Sequence, residues 1–218
     1  VPDVQTNGHV TLDERRNVYV SASGQEYLRV TRILEMVGLR KLPSVSEAVL
    51  AYAAERGQVA HDAIALDLEG DLVESSVHDE VRPYLEAARA WIAANGFRPE
   101  PGWIERRLAH AELRFAGKLD LLGRIGDDLW IVDWKTVGGA IEDDVGVQLA
   151  AYELLARAQG RKGRIRRVAV RLGKDGTPRP RIFDHPGDLA DFMAALRIAW
   201  RIAAREGEGG SRGGTERG

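Results

Sequence analysis

The chain has 218 residues, 44% of them hydrophobic and 29% charged, and a formal net charge of −2. That composition suits a globular protein with one substantial core, and it excludes a helical membrane protein, a disordered chain and a protein that attracts nucleic acid through its overall field. Cysteine is absent, which excludes disulfides, thiol nucleophiles, thiolate-bound zinc and iron–sulfur clusters held by cysteine.

Val1–Gln5 lacks the pattern of a secretory signal and no apolar run approaches a membrane span, so the expected location is the cytoplasm. The expected organisation is one α/β domain over residues 1–205, of which 1–29 form a polar extension, followed by a flexible glycine-rich tail over 206–218. Within the extension, Asn17–Val20 and Glu26–Val30 are β-prone around a Ser23-Gly24 turn, which predicts a small hairpin. Thr31 then caps a short helix, Arg32–Val37, stopped by Gly38.

Ser44 or Ser46 caps a long helix in which Val49, Ala53, Ala60, Ile64 and Leu68 recur at helical spacing until Gly70 ends it. Gly57 lies inside this helix and His61 follows one turn later. A lone helical histidine is more often packed than ligating, so its meaning depends on what else converges on it. Val77 to Asn95 reads as a second amphipathic helix, with Val81, Leu85, Ala88 and Ile92 on one stripe. Pro99 to Pro101 then interrupts the chain, and Trp103–Leu108 and Ala111–Phe115 are strand material carrying the acids Glu105 and Glu112.

Two β-prone runs come next, Gly117–Ile125 and Leu129–Thr136, joined by Gly126-Asp127-Asp128 as a hairpin. Strand alternation puts Asp133 and Lys135 on one side and Trp134 on the other. Asp120 is near the start of the first run and Asp133 near the end of the second, so both belong to the same end of the hairpin. Two carboxylates and an ammonium at one point can hold Mg²⁺ or Mn²⁺, lower the pKa of a bound water and neutralise a phosphodiester under attack. The plainer alternative is a solvated ion pair at a strand end.

Beyond Gly138-Gly139, Asp143 or Asp144 opens a helix carrying Val147, Leu149, Ala150, Leu154 and Leu155, with Gln148 and Tyr152 sharing one face. Ile165–Leu172 and Arg181–Phe183, around a Lys174-Asp175-Gly176 turn, predict another hairpin with one buried and one basic face. Between Arg161 and Arg181 stand nine basic residues and one acid, Asp175. This segment, with Arg166 and Arg167 at its centre, is the expected source of phosphate contacts; the alternative is a solvated basic face. A last helix runs from Leu189 to about Arg205.

Taken in order, Arg56-Gly57-Gln58-Val59-Ala60-His61, Gly117-Lys118-Leu119-Asp120, Asp133-Trp134-Lys135 and Gln148-Leu149-Ala150-Ala151-Tyr152 resemble the motifs of the PD-(D/E)XK nuclease superfamily, in its RecB-like exonuclease branch. Tyr27–Leu34 is similar to a segment of the mitochondrial genome maintenance exonucleases and related phage nucleases, with Arg29 at the serine position. The resemblance covers about Tyr27 to Phe183. It implies a restriction-endonuclease-like core, a central mixed β-sheet flanked by α-helices with the metal site at one end of the sheet.

It also implies that His61, Asp120, Asp133 and the backbone carbonyl of Trp134 bind Mg²⁺ or Mn²⁺, that Lys135 orients or deprotonates the attacking water, and that Gln148 and Tyr152 position the strand or buttress the site. Either Glu105 or Glu112 could be the family's additional acid. The four cysteines that hold an iron–sulfur cluster in several relatives are missing, and so is a helicase phosphate-binding loop. The implied function is a metal-dependent DNA exonuclease acting on single-stranded or processed ends in replication, repair or recombination, with proteins of those processes as partners. A structure-specific endonuclease and an inactive nucleic-acid-binding module are the alternatives.

Overall fold

The computed structural model describes residues 10–41, 45–136 and 138–211, with backbone alone for 207–211. Among them, eight strands form one mixed sheet: β1 (Val10–Asp13), β2 (Val18–Ser21), β3 (Glu26–Arg29), β4 (Arg98–His110), β5 (Phe115–Ile125), β6 (Asp128–Lys135), β7 (Ile165–Leu172) and β8 (Pro178–Phe183). The order across the sheet is β1-β2-β3-β5-β6-β7-β8, with β4 paired to β5 alone. Five helices pack on it: α1 (Val30–Met36), α2 (Glu47–Glu69), α3 (Arg82–Asn95), α4 (Asp144–Ala158) and α5 (Asp188–Ser211). This is the restriction-endonuclease-like fold that the motifs implied. No helix among the described residues is long and apolar enough to cross a membrane.

The local chemistry of the termini fixes where the helices sit. The Ser46 hydroxyl accepts from the Val49 N–H at the start of α2, and Gly70 closes that helix at φ 81°. Ser44, the other candidate cap, lies outside the described residues. In α3 Pro83 stands in the first turn and Gly96, at φ 57°, ends the helix. The helix predicted from Val77 therefore starts later, after a 3₁₀ turn at Glu74–Ser76.

Two cores lie on the two faces of the sheet. Leu119, Leu122, Leu129 and Ile131 pack with α1, α4 and α5, whereas Leu121, Trp130, Val132 and Trp134 pack with α2 and α3. The Trp134 ring meets Trp91 edge-on at 5.7 Å. The β5–β6 hairpin has a two-residue loop with Gly126 at φ 59°, where a residue without Cβ is favoured.

Elsewhere the structure departs from sequence reading. Ala111–Arg114 is a turn between β4 and β5 rather than a strand, with Arg114 at φ 52°, and Phe115 opens β5. The stretch with Pro99 and Pro101 belongs to β4 but is not regularly paired between Pro99 and Ile104, as an edge strand permits. The residues of β1 were not read as a strand because four residues carry little periodicity. The last helix continues to Ser211, past the expected start of the tail, and 212–218 lie outside the described residues along with 1–9 of the extension.

Candidate active site

The site forms where β5 and β6 part. Their pairing is regular from Ile125↔Asp128 to Leu121↔Val132 and then stops, so Asp120 and Asp133 stand at the fork. Instead of a backbone carbonyl, the Asp120 carboxylate accepts the Trp134 N–H at 2.9 Å. The alternation of β5 also slips here, since Leu119 and Leu122 share one core while Leu121 belongs to the other. On β4 the matching irregularity is Glu105, at φ 47° between the paired residues Ile104 and Arg106. A left-handed residue within an otherwise regular register turns its side chain out of the plain alternation, and Glu105 lies opposite Asp120.

His61, on α2, closes the cluster. Its Nδ1 lies 3.2 Å from Glu105 Oε1 and 3.5 Å from Asp120 Oδ2, and its Nε2 lies 3.1 Å from the Trp134 carbonyl oxygen. Every one of those partners accepts only, so both ring nitrogens carry protons and the imidazole is a cation. Burial works against that charge, but Asp120, Glu105 and Asp133 outweigh it and raise His61 to about 9. Burial pushes the Asp120 carboxyl up to about 7, helped by Asp133 and Glu105 and opposed by His61. For Glu105 burial is overcome by His61 and Lys118, which hold it below the usual carboxylate range.

Asp133, 3% exposed, comes in from β6. Its Oδ2 lies 2.6 Å from the Lys135 ammonium, and its Oδ1 accepts from Gln148 Nε2 at 3.3 Å. The same amide nitrogen donates to the Tyr152 hydroxyl oxygen at 3.0 Å. Gln148 and Tyr152 are 4% and 5% exposed, so they buttress Asp133. Arg40, which sequence reading missed, donates to Gln148 Oε1 at 2.7 Å and to Asp144 at 2.6 Å. It stands 108 residues from Gln148 in the chain, and no local pattern announces such a contact.

Two glycines make the assembly possible. A Cβ on Gly117 would come within 2.6 Å of the Tyr152 ring, and one on Gly57 within 3.1 Å of the Thr136 hydroxyl. The motif glycines thus serve close approach, of α4 to β5 and of α2 to the end of β6.

All the residues expected to touch the metal or to act in catalysis line one cavity of about 730 Å³: His61, Asp120, Asp133, Trp134 and Lys135, with Gln148 and Tyr152. Of the two further acids, Glu105 belongs to the cluster, and Glu112 is exposed in the β4–β5 turn. Arg166 and Arg167, the expected phosphate contacts, do not line that cavity. Arg167 is 8% exposed and is held by Asp188 at 3.1 Å and Glu153 at 3.6 Å. Arg166 stacks on Trp130 at 4.6 Å and pairs with it in register, five residues from the Lys135↔Arg171 end, or roughly 16 Å along the strand.

The donor set fits a hard or borderline divalent cation. His61, Glu105 and Asp120 each offer an atom, all within 4.8 Å of one another, a mixed nitrogen and carboxylate set of the kind Mg²⁺ and Mn²⁺ accept. Glu105 Oε2 and Asp133 Oδ2 are buried without a conventional hydrogen bond and face only lysine ammonium groups.

A sheet forked around buried carboxylates, with a lysine two residues after one of them, defines a nuclease. The chain belongs to the PD-(D/E)XK nuclease superfamily, whose family model matches residues 29–211. Nucleases of this superfamily act on DNA and use divalent metal ions. Among solved structures, the chain is similar to a proposed exonuclease from Eubacterium rectale, at 13% identity over 86% of this chain and 83% of that one, with a TM-score of 0.46. It is also similar to an alkaline exonuclease from Laribacter hongkongensis, at 13% identity over 84% and 93% of the two chains, with a TM-score of 0.39. No curated protein sequence matches it.

Proposed function

We propose that this protein is a divalent-metal-dependent DNA exonuclease of the RecB-like kind that shortens single-stranded or processed ends. The observation that carries the reading is the meeting of His61, Asp120, Asp133 and Lys135 in one cavity, with Glu105 3.2 Å from His61 at its border. His61, Glu105, Asp120, Asp133 and the Trp134 carbonyl would hold Mg²⁺ or Mn²⁺, which would acidify a water and stabilise charge on the phosphate. Lys135 Nζ, fixed 2.6 Å from Asp133, orients the attacking water and offsets negative charge in the transition state. Gln148, anchored by Arg40, keeps Asp133 facing the cavity. A cleft walled by α2 on one side and α4 on the other suits a single strand fed in from an end.

The test is the product pattern from end-labelled linear and closed circular single-stranded DNA with Mn²⁺, using wild type and Asp133→Ala. Progressive shortening of the linear strand, persistence of the circles and loss of all cleavage in Asp133→Ala are expected. Rapid linearisation of circles by wild type alone would make the protein an endonuclease working through the same residues. Cleavage by Asp133→Ala at the wild-type rate would remove this site from consideration.

A further inference from the structure

We propose that Arg107 and Lys118 form a second phosphate subsite, which binds the phosphate next to the scissile one and leads the strand away beneath α2 toward the free edge of β4. The inference rests on the reading of the site as DNA-cleaving. It starts from strand register. Arg107 of β4 pairs with Lys118 of β5, and the neighbouring pairs Arg106↔Leu119 and Ile104↔Leu121 bring Glu105 level with Asp120. Arg107, Lys118 and Asp120 line the same cavity and the Lys118 ammonium contacts Glu105, so the carboxylate pair and the basic pair are neighbouring steps on one surface. Two residues of strand are about 6.6 Å, comparable with the separation of neighbouring phosphates on an extended single strand.

The cavities agree with this direction. Next to the one containing Asp120 and Asp133 lies another of about 680 Å³, lined by Glu105 and Asp62 among others, and the two share Gln58, Arg107 and Lys118. Together they make a continuous channel between α2 and the β4–β5 surface. Arg107 is exposed, and among the described residues its guanidinium has no ion pair or side-chain hydrogen bond. Lys118 contacts Glu105 and reaches Gln58 Oε1 at 3.4 Å, so its ammonium is already at the boundary between the two cavities. An uncommitted guanidinium beside a second cation is the arrangement that takes a phosphate through charge-assisted hydrogen bonds.

Arg107→Gln is the cleaner test, because the side chain supports no other contact; Lys118→Gln also releases Glu105 and is read beside its melting temperature. Binding of a single-stranded oligonucleotide is measured by fluorescence anisotropy across a salt series in an Asp133→Asn background, which keeps the DNA intact. Adding Arg107→Gln should weaken binding roughly three- to tenfold and reduce the salt slope by about one. A single neutral methylphosphonate moved along the terminal linkages should, at one position, weaken the Arg107 protein by the same factor and leave Arg107→Gln unaffected. Unchanged affinity and slope in Arg107→Gln, or equal losses in both proteins at every methylphosphonate position, would overturn the subsite. Failure of the functional reading looks different: the parent would bind no DNA, or cleavage would survive Asp133→Ala.

Discussion

The fork between β5 and β6 and the basic segment of β7 and β8 are both dense in charge, yet only one concentrates it. At the fork, chain segments from α2, β4, β5, β6 and α4 deliver His61, Glu105, Asp120, Asp133 and Gln148 to one buried place, with two lysines facing the acids. In the basic segment five of the nine cations are paired with acids outside the site. Arg161 meets Glu100 and the Trp103 ring, Arg164 meets Asp128, Arg167 meets Asp188, Arg179 meets Asp175 and Arg181 meets Asp143. A run of like charge in the sequence thus says little about the field it produces, because a strand sends alternate side chains to opposite faces and each finds its own partner. Charges far apart in the chain made the site, and charges close together did not.

The largest expected contrast is catalytic. Lys135→Ala should lower cleavage by a factor on the order of 10²–10⁴ in single-turnover assays, with the melting temperature little changed. Arg167→Ala should do the reverse: leaving Asp188 buried without its partner should cost about 3–5 kcal/mol in denaturant unfolding, while cleavage per folded molecule persists. Gly117→Ala falls between the two regions in kind, since it pushes a methyl group into the Tyr152 ring. It should lose about 1–3 kcal/mol and also impair cleavage by shifting the buttress behind Asp133.

Acidity separates the regions further. Asp120 is raised from its ordinary 3.8 to about 7 and His61 from 6.5 to about 9. A raised pKa means that the folded state holds the proton more tightly than the unfolded one, so the stability it contributes is complete below the unfolded value and lost as pH rises through the folded value. Metal-free protein should therefore lose melting temperature as pH climbs, through Asp120 between about 4 and 7 and through His61 between about 6.5 and 9. His61→Gln should flatten the upper part of that profile. Because a ligand imidazole must first give up a proton, Mn²⁺ binding measured by calorimetry should tighten over the same upper range and release protons. The smallest effect belongs to Arg166→Glu, which should change stability by no more than about 0.5 kcal/mol and leave DNA affinity nearly as it was.

What could be read from the sequence followed from how local each signal was. The β5–β6 hairpin and the shared end of Asp120 and Asp133 needed only alternation and a turn, and the spans of α2 and α4 needed only apolar spacing and terminal residues. The choice of Glu105 over Glu112 needed the left-handed backbone at φ 47°, which no residue type at that position advertises. Arg40 depends on a contact across a long stretch of chain, and the Arg107–Lys118 pair depends on the exact register of β4 against β5. The burial of Arg167 depends on its pairing with Asp188, a contact that no local pattern announces.

The left-handed backbone at Glu105 has a consequence for the sheet edge as well. Among the described residues strand β4 has β5 as its one partner in the sheet, and thirteen residues of open strand edge would invite pairing with another molecule. The kink at Glu105 and the irregular stretch around Pro99 and Pro101 divide that edge into pieces too short and bent to serve as a template. A substitution such as Glu105→Gly would relieve roughly 1 kcal/mol of left-handed backbone cost and remove a carboxylate from the site. One that straightened the strand would go further, offering a continuous edge to neighbouring chains. Resistance to aggregation and the capacity for catalysis are in this way tied to the same backbone torsion, so selection acting on either would preserve the other.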